Sequence, residues 1–475
     1  MFLRRFYEDH LAQASYLIGC QASGEAVVVD ANRDVEQYVA AAAAEGLRIT
    51  HVTETHIHAD YVSGSRELAE RTGATLLLSC AGGPAWQYAF AQDAGARLIG
   101  DGAHFQVGAV RLDVMHTPGH TPEHLTFLVT DTAIADRPMA AITGDFVFVG
   151  DVGRPDLLER AAHVAGTMES SARDLFRAIQ RFKTLPDYLQ LWPGHGAGSV
   201  CGKALGAMPQ STLGYERLFN WGLAETDEAQ FVRSVLDGQP EPPHYFAVMK
   251  RVNREGPLVL GGLPHPERLG AARVRTALDT GATVIDTRHA ADFAAGHVPR
   301  TINIPLNRAF ATWAGSLLPL DRPCHFIVDD DDAPVLAARA ARALALIGFD
   351  HIGGYFGAES IAEWHAAGGA LETVQTLTAP ELRSRLASGS ATVIDVRNDH
   401  EWNAGHVHGA QWIPLATLAQ RAGDLDTTRT LVVQCHGGTR SAIAASLLLA
   451  AGRHNVANLA GGFAEWTDAG FPVER

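Results

Sequence analysis

The C-terminal half of this chain repeats itself. Val284-Ile285-Asp286-Thr287-Arg288 returns as Val393-Ile394-Asp395-Val396-Arg397. Gly296-His297-Val298 returns as Gly405-His406-Val407, and Ile304-Pro305-Leu306 as Ile413-Pro414-Leu415, all at one offset of 109 residues. Matches at a single long offset require two copies of one small domain, since solenoid repeats are far shorter. Each copy alternates β-branched runs (283–286, 392–395, 431–434) with helical stretches (333–347, 441–451). That alternation predicts a parallel α/β sheet in each copy.

The 475 residues leave room for a larger domain before the repeat. Two extended, Pro-rich breaks, Asp237-Gly238-Gln239-Pro240-Glu241-Pro242-Pro243 and Gly261-Gly262-Leu263-Pro264-His265-Pro266, close that domain. The expected division is residues 1–258, 265–370 and 375–475. In the first part, 25–30 and 49–55 read as buried strands, and 35–44 and 63–72 as helices. With 47% hydrophobic and 19% charged residues, each part can build a core. The net charge of −15 argues against a nucleic-acid partner, which would need a basic face. Five dispersed cysteines (Cys20, Cys80, Cys201, Cys324, Cys435) with no C-x-x-C pair suit neither a disulfide scaffold nor a structural zinc site. No apolar run approaches the roughly 20 residues of a membrane span, and MFLRRFYEDHL lacks the apolar region of a signal peptide. The expectation is a cytoplasmic protein.

Chemistry-bearing residues cluster at four points of the first domain. His56, His58, Asp60 and Tyr61 follow a β-branched run. Then come Thr117-Pro118-Gly119-His120-Thr121, Thr143-Gly144-Asp145 and Trp192-Pro193-Gly194-His195-Gly196. Each cluster follows an apolar stretch, where strand ends can bring side chains from distant segments to one point. A lone histidine is usually structural; four such clusters in series are not explained that way.

These residues resemble the metallo-β-lactamase fold, with its H-x-H-x-D-H, P-G-H-T, G-D and P-G-H signatures. The resemblance implies an αββα sandwich whose loop edges hold one or two metals. Where the family's hydrolases carry a further metal-binding histidine, this chain has Tyr61. The persulfide dioxygenase branch of the family holds a single iron with two histidines and one aspartate. Carried over by motif, the ligands are His56, His120 and Asp145, on one Fe(II) per chain, with open positions for substrate and O₂. His58, Asp60, Tyr61 and His195 then surround and orient those ligands. His116 and His124 match no ligand position and are expected to be structural. Phe148–Leu157 and Ala197–Lys203 also look like the bacterial persulfide dioxygenases fused to rhodanese domains. There, Arg154 pairs with a substrate carboxylate or with a local aspartate, and Cys201 faces the metal pocket or simply packs.

Near the C-terminus an apolar strand runs into Cys435-His436-Gly437-Gly438-Thr439-Arg440-Ser441 and then an apolar helix. A thiol between a strand and a helix N-terminus meets converging N–H groups and the positive helix end, which stabilise a thiolate. Arg440 adds positive charge for an anionic sulfur donor. The loop resembles the rhodanese active-site loop C-x-x-G-x-R-S, which implies sulfane sulfur carried as a persulfide on Cys435. Aligning Val328 with Val433 puts Asp330 at the position of Cys435 in the first copy, inside the acidic run Asp329–Asp332. That copy is expected to be catalytically silent.

The combined resemblance implies an α/β multidomain protein: an αββα metallo-β-lactamase sandwich followed by two α/β rhodanese-like domains. The implied activity is oxidation of a low-molecular-weight persulfide, such as glutathione or coenzyme A persulfide, by O₂ to sulfite and thiol. Rhodanese transfer among persulfide, thiosulfate and sulfite would be coupled to it in a homo-oligomer that serves sulfide oxidation. The rivals are a zinc thioester hydrolase of the glyoxalase II type and a non-catalytic sulfur-relay protein.

Overall fold

The computed structural model describes residues 1–160, 166–426 and 428–475. The chain divides into two compact units, one of residues 1–263 with 345–348, the other of residues 264–344 with 349–475.

In the first unit two six-stranded sheets face each other. One runs Phe2–Glu8, Gln13–Cys20, Glu25–Val29, Arg48–Thr53, Thr75–Ser79, Arg97–Ile99 in spatial order; its first three strands are antiparallel and the rest parallel. The other runs Ser211–Thr212, Gln190–Pro193, Ala140–Gly144, Leu125–Asp131, Val110–His116, His104–Val107. The strands follow the period of two. Tyr16, Ile18, Val27, Val29 and Leu77 point into the layer between the sheets, against Leu112, Phe127, Val129, Ile142 and Trp192. Their neighbours Leu17, Val28, Leu76 and Leu78 point outward, beneath Val35, Tyr38 and Leu68 of the covering segments. The second sheet's outer face is covered by the helices Met168–Phe182 and Glu228–Leu236 through Leu175, Phe176, Ile179, Phe231 and Val235. A strand buried on both faces reads as a continuous apolar run, as Ala26–Val29 does, whereas Arg48–Thr53 is marked by β-branched residues rather than by apolar continuity. The result is the αββα sandwich, and the helices at Glu36–Ala44 and Ser65–Thr72 start within two residues of expectation.

The second unit holds two modules with parallel sheets. The central one has the order Ile302–Asn303, Thr283–Asp286, Cys324–Val328, Ile352–Gly357; the last has Gln375–Leu377, Val456–Leu459, Thr430–Gln434, Ala391–Asp395, Gln411–Trp412. The repeated motif is framework in both. Arg288 donates Nη2 and Nε to Asp286 (2.7 and 3.0 Å) and Nη2 to the Gly296 carbonyl. Arg397 does the same with Asp395 (2.7 and 3.0 Å) and Gly405. These buried ion pairs tie each strand end to the following helix. Among the described residues, no helix is long and apolar enough to cross a membrane.

Candidate functional site

All four clusters lie where strands of the sandwich end on one edge. The strands Arg48–Thr53, Val110–His116, Ala140–Gly144 and Gln190–Pro193 deliver, just past their last residues, His56 to Tyr61, His120, Asp145 and His195. His56 Nε2 and His120 Nε2 lie 3.9 and 3.6 Å from Asp145 Oδ2, while His195 Nε2 lies 3.5 Å from Asp145 Oδ1 and 3.4 Å from Asp60 Oδ2. All are buried. The ligand atoms of His56, His120 and Asp145 sit within 4.8 Å of one another, and so do those of Asp60, His195 and Cys201.

Each imidazole is oriented from behind. His120 Nδ1 donates to the Arg154 carbonyl (3.1 Å) and His195 Nδ1 to the Ala12 carbonyl (3.1 Å), which leaves both Nε2 lone pairs facing Asp145. His56 Nδ1 meets Thr55 Oγ1 at 2.9 Å. Burial, then the charge of Lys250, holds His120 down at about 3; burial and the neighbouring histidines hold His56 well below its usual range. Both rings are therefore neutral, the form that binds a metal. Asp145 is the opposite case. Neither of its buried oxygens accepts a hydrogen bond among the described residues. Burial lifts it to about 6, with His195 opposing. Two neutral imidazoles converging on an unpaired carboxylate fit a bound cation, since a buried acceptor is ordinarily satisfied. Gly194 makes the close approach possible: a β-carbon there would sit 2.7 Å from Asp145 Oδ1.

The surrounding residues divide. His58 is held from behind through one nitrogen: its Nε2 meets Asp30 Oδ1 at 3.1 Å, and its buried Nδ1 has no hydrogen-bond partner among the described residues. Burial works against its proton, yet Asp30 and Glu54 raise it to about 9. Tyr61 points outward, stacking on His58 (4.5 Å between ring centroids) and donating to the Asp30 carbonyl (3.3 Å). It replaces the family's histidine without offering a ligand to the centre. Asp60 and His195 face inward. Cys201 joins them, its thiol held well above its usual range by burial and then by Asp145 and Asp60. Of the two partners the sequence leaves open for Arg154, the structure shows the local aspartate. Its fully buried guanidinium forks onto Asp156 (2.9 and 2.6 Å) and donates to the Val200 carbonyl (3.0 Å), while its own carbonyl orients His120. His124 supports rather than coordinates: its Nε2 accepts the Asp145 N–H (3.1 Å). His116 bonds the Pro122 carbonyl.

Several residues of this network have little sequence signal. Asp30 accepts from Thr55 N and Oγ1 as well as meeting His58. Asn253, from the helix Tyr245–Glu255, donates to the carbonyls of His58 and Tyr61 and accepts from Ser63 N. Glu123 takes the N–H of Ile57, between the two histidines. A charged residue ending an apolar strand could have exposed Asp30; nothing local singles out Asn253.

The Cys435 loop turns hydrogen-bonding groups onto the thiol. Gly438 N donates to Cys435 Sγ at 3.1 Å, and Ser441 Oγ lies 3.5 Å from it. Gly438 stands at φ +99° before the helix Thr439–Ala450. Gly462 (φ +61°) is required behind the loop, because a β-carbon there would collide with the Cys435 carbonyl. His436, Gly437 and Thr439 form the loop's exposed rim. Arg440 is not free: its guanidinium makes a two-point ion pair with Glu401, at 2.6 and 2.7 Å. In the central module, strand register moves the equivalence. Asp286 pairs with Ile327 as Asp395 pairs with Gln434, so Val328, not Asp330, stands where Cys435 does. Cys324 is buried at the far end of that strand, and burial keeps its thiol protonated.

The model of the metallo-beta-lactamase superfamily matches residues 9–195, and that of the rhodanese-like domain matches residues 270–367 and 378–469. A crystal structure of a metallo-beta-lactamase from Staphylococcus aureus is similar with 41% identity and a TM-score of 0.66, over 75% of this chain and 98% of that one. A probable metallo-hydrolase of Burkholderia pseudomallei is 29% identical over 59% of this chain and 99% of its own length. The mitochondrial persulfide dioxygenase ETHE1 of Bos taurus is 30% identical over 41% of this chain and 68% of its own length. The chain belongs to the metallo-β-lactamase superfamily, in a form that carries two rhodanese-like domains behind the metallo-β-lactamase domain.

Proposed function

We propose that this protein is a non-haem iron persulfide dioxygenase joined to a rhodanese sulfurtransferase, with one Fe(II) per chain held by His56, His120 and Asp145. The observation that carries the reading is the set of two neutral imidazoles and one unpaired carboxylate on one buried point, with Tyr61 turned away to Asp30. The similarity to the cattle persulfide dioxygenase and the attached Cys435 loop support it. When bound, ferrous iron supplies the electrons and the adjacent coordination positions that O₂ chemistry demands. The protein's own groups do the rest. The Arg154 and Ala12 carbonyls fix the rings of His120 and His195. The buried walls exclude bulk water. Overall, RSSH, O₂ and H₂O give RSH, sulfite and two protons. Cys435 would move sulfane sulfur among persulfide, sulfite and thiosulfate, and the thiol-free central module would be a silent spacer or docking element. The three modules would span residues 1–258, 265–370 and 375–475.

A second reading draws on Asp60, His195 and Cys201, a further buried set with metal-ligand spacing. Carboxylate, imidazole and thiolate suit zinc, so a two-zinc hydrolase would use both sets. Metal analysis separates the two readings: one iron per chain against two zincs. Oxygen consumption with glutathione persulfide tests the activity itself. Uptake of one O₂ per sulfite formed is expected, and its absence in iron-loaded protein overturns the dioxygenase reading.

A further inference from the structure

Arg440 is the cation that a rhodanese-type loop would offer to an anionic donor, yet a carboxylate already faces it. Glu401 Oε2 accepts from Arg440 Nη1 at 2.6 Å, and Oε1 accepts from Nη2 at 2.7 Å. Both side chains are only about a quarter exposed, at 22% and 25%. A bidentate pair in partial burial is geometrically specific and is held more firmly than an open surface pair. Glu401 is itself anchored. It occupies the third position of the helix Asp399–Ala404, where it accepts from Asn398 N while Asn398 Oδ1 accepts from its own N–H. Burial works against its charge and the guanidinium outweighs that, holding Glu401 below the ordinary carboxyl range. The charge of Arg440 also acts on Cys435, so the pair belongs to the thiol's surroundings. The other groups at Sγ, the Gly438 N–H and the Ser441 hydroxyl, are neutral dipoles and not charges.

We propose that Glu401 is a specificity-determining residue: by occupying the guanidinium of Arg440 it biases Cys435 toward taking sulfur from low-molecular-weight persulfides and against thiosulfate. The inference rests on Cys435 being a sulfur carrier. With thiosulfate, the Cys435 thiolate attacks the outer sulfur. The S–S bond breaks with its electron pair on sulfite, giving Cys435–S–S⁻ and SO₃²⁻. With a persulfide RSSH, the thiolate attacks the terminal sulfur, and RS leaves with the electron pair and the persulfide proton as RSH. The first reaction brings a dianion to a thiolate and releases a dianion. It therefore needs a free counter-charge; the Glu401 carboxylate neutralises the one Arg440 would offer and also repels the incoming dianion. The second brings at most one negative charge on the reacting sulfur group, releases a neutral thiol there, and needs no counter-charge at that point. Like charges in such a site discriminate strongly between otherwise similar partners.

The test is sulfur loading of Cys435 in the full-length protein, with thiosulfate and with glutathione persulfide as donors, read as kcat and KM at low and high salt. Glu401→Gln keeps the capping arrangement, since glutamine serves at that helix position, and removes the charge. It should lower KM for thiosulfate about tenfold with kcat nearly unchanged, and raise the thiosulfate-to-persulfide efficiency ratio by about the same factor. The thiosulfate KM should also become more sensitive to salt. Glu401→Asp keeps the charge and should hold the donor ratio near that of the native protein. An unchanged ratio in Glu401→Gln, or an equal shift in Glu401→Asp, overturns the proposal. If neither donor loads sulfur on Cys435 in the native protein, the carrier reading itself fails, and this inference with it; that outcome is seen before any variant is compared.

Discussion

Replacing Asp145 by Asn should stabilise the metal-free protein and sharply weaken its affinity for iron. The carboxylate is wholly buried and unpaired, and burial lifts it from an ordinary 3.8 to about 6. A carboxyl displaced upward prefers its proton in the folded state. The cost of its charge is therefore absent below pH 3.8, grows as the pH rises toward 6, and is complete above that. At about 1.4 kcal/mol per pH unit the full cost is about 3 kcal/mol, and about half of it is present at pH 5. Asparagine removes the charge but leaves a buried amide with unmet hydrogen bonds, a cost of about 1–2 kcal/mol. Chelator-treated Asp145→Asn should thus resist urea about 1–2 kcal/mol better than the parent at pH 8, and nearly coincide with it at pH 5. Iron affinity should fall more than about 100-fold, because even partners behind the ligands are worth 10- to 100-fold. A metal-free variant less stable than the parent at pH 8 would show that Asp145 has a structural partner. Near-stoichiometric iron in the variant would remove it from the ligand set.

Three further outcomes are expected. Cys435→Ser should lose sulfur transfer, since a hydroxyl cannot carry sulfane sulfur, and keep persulfide-dependent O₂ uptake; collapse of uptake in folded, iron-loaded protein would mean the two activities are coupled. Persulfide trapping with peptide mass spectrometry should label Cys435, whose Sγ takes the Gly438 N–H, and leave Cys324, which sits at the opposite end of its strand, unlabelled; rapid stoichiometric loading of Cys324 would give the central module a sulfur role. Asn253→Ala breaks three buried hydrogen bonds to the His58–Ser63 segment. It should cost about 2–4 kcal/mol in urea denaturation and weaken iron binding; a change under about 0.5 kcal/mol would show the segment holds its shape unaided.

The parts of the site that could be read in the sequence are those with short-range signatures. His56, His120 and Asp145 each follow an apolar strand, and strand ends on one sheet edge are where distant segments meet. Arg154 was ambiguous because a guanidinium two residues from an aspartate fits either a substrate or that aspartate. Only burial and the fork onto Asp156 decide it. Asn253 was invisible because it acts through backbone carbonyls nearly two hundred residues away, and no local pattern encodes that. Glu401 shows the same limit within a recognised motif: four residues past Arg397 it reads as a helix cap, and only the fold brings it to Arg440.

The central module shows where matching by sequence fails. From Asp286 to Ile327 is 41 residues, whereas Asp395 to Gln434 spans 39, although both pairs face each other across the same two strands. The two extra residues lie between strands, where insertions cost little. Matching apolar letters therefore slides the strand while the hydrogen-bonded ladder does not. A slip along a strand changes which residue emerges at its end. Here it replaces an inferred Asp330 with Val328, the last residue of the strand. The case for a silent module becomes stronger, because it no longer depends on the repulsion of an acidic loop. A valine side chain has no lone pair to hold sulfur. On this register, Val328→Cys is the substitution that places a thiol at the strand end, and Asp330→Cys is not. A thiol introduced at 330 would sit two residues beyond the strand, in the exposed loop. It should react with a small alkylating reagent as a free surface cysteine does, whereas one at 328 should be protected in the folded state. Equal, rapid labelling of both would refute the register.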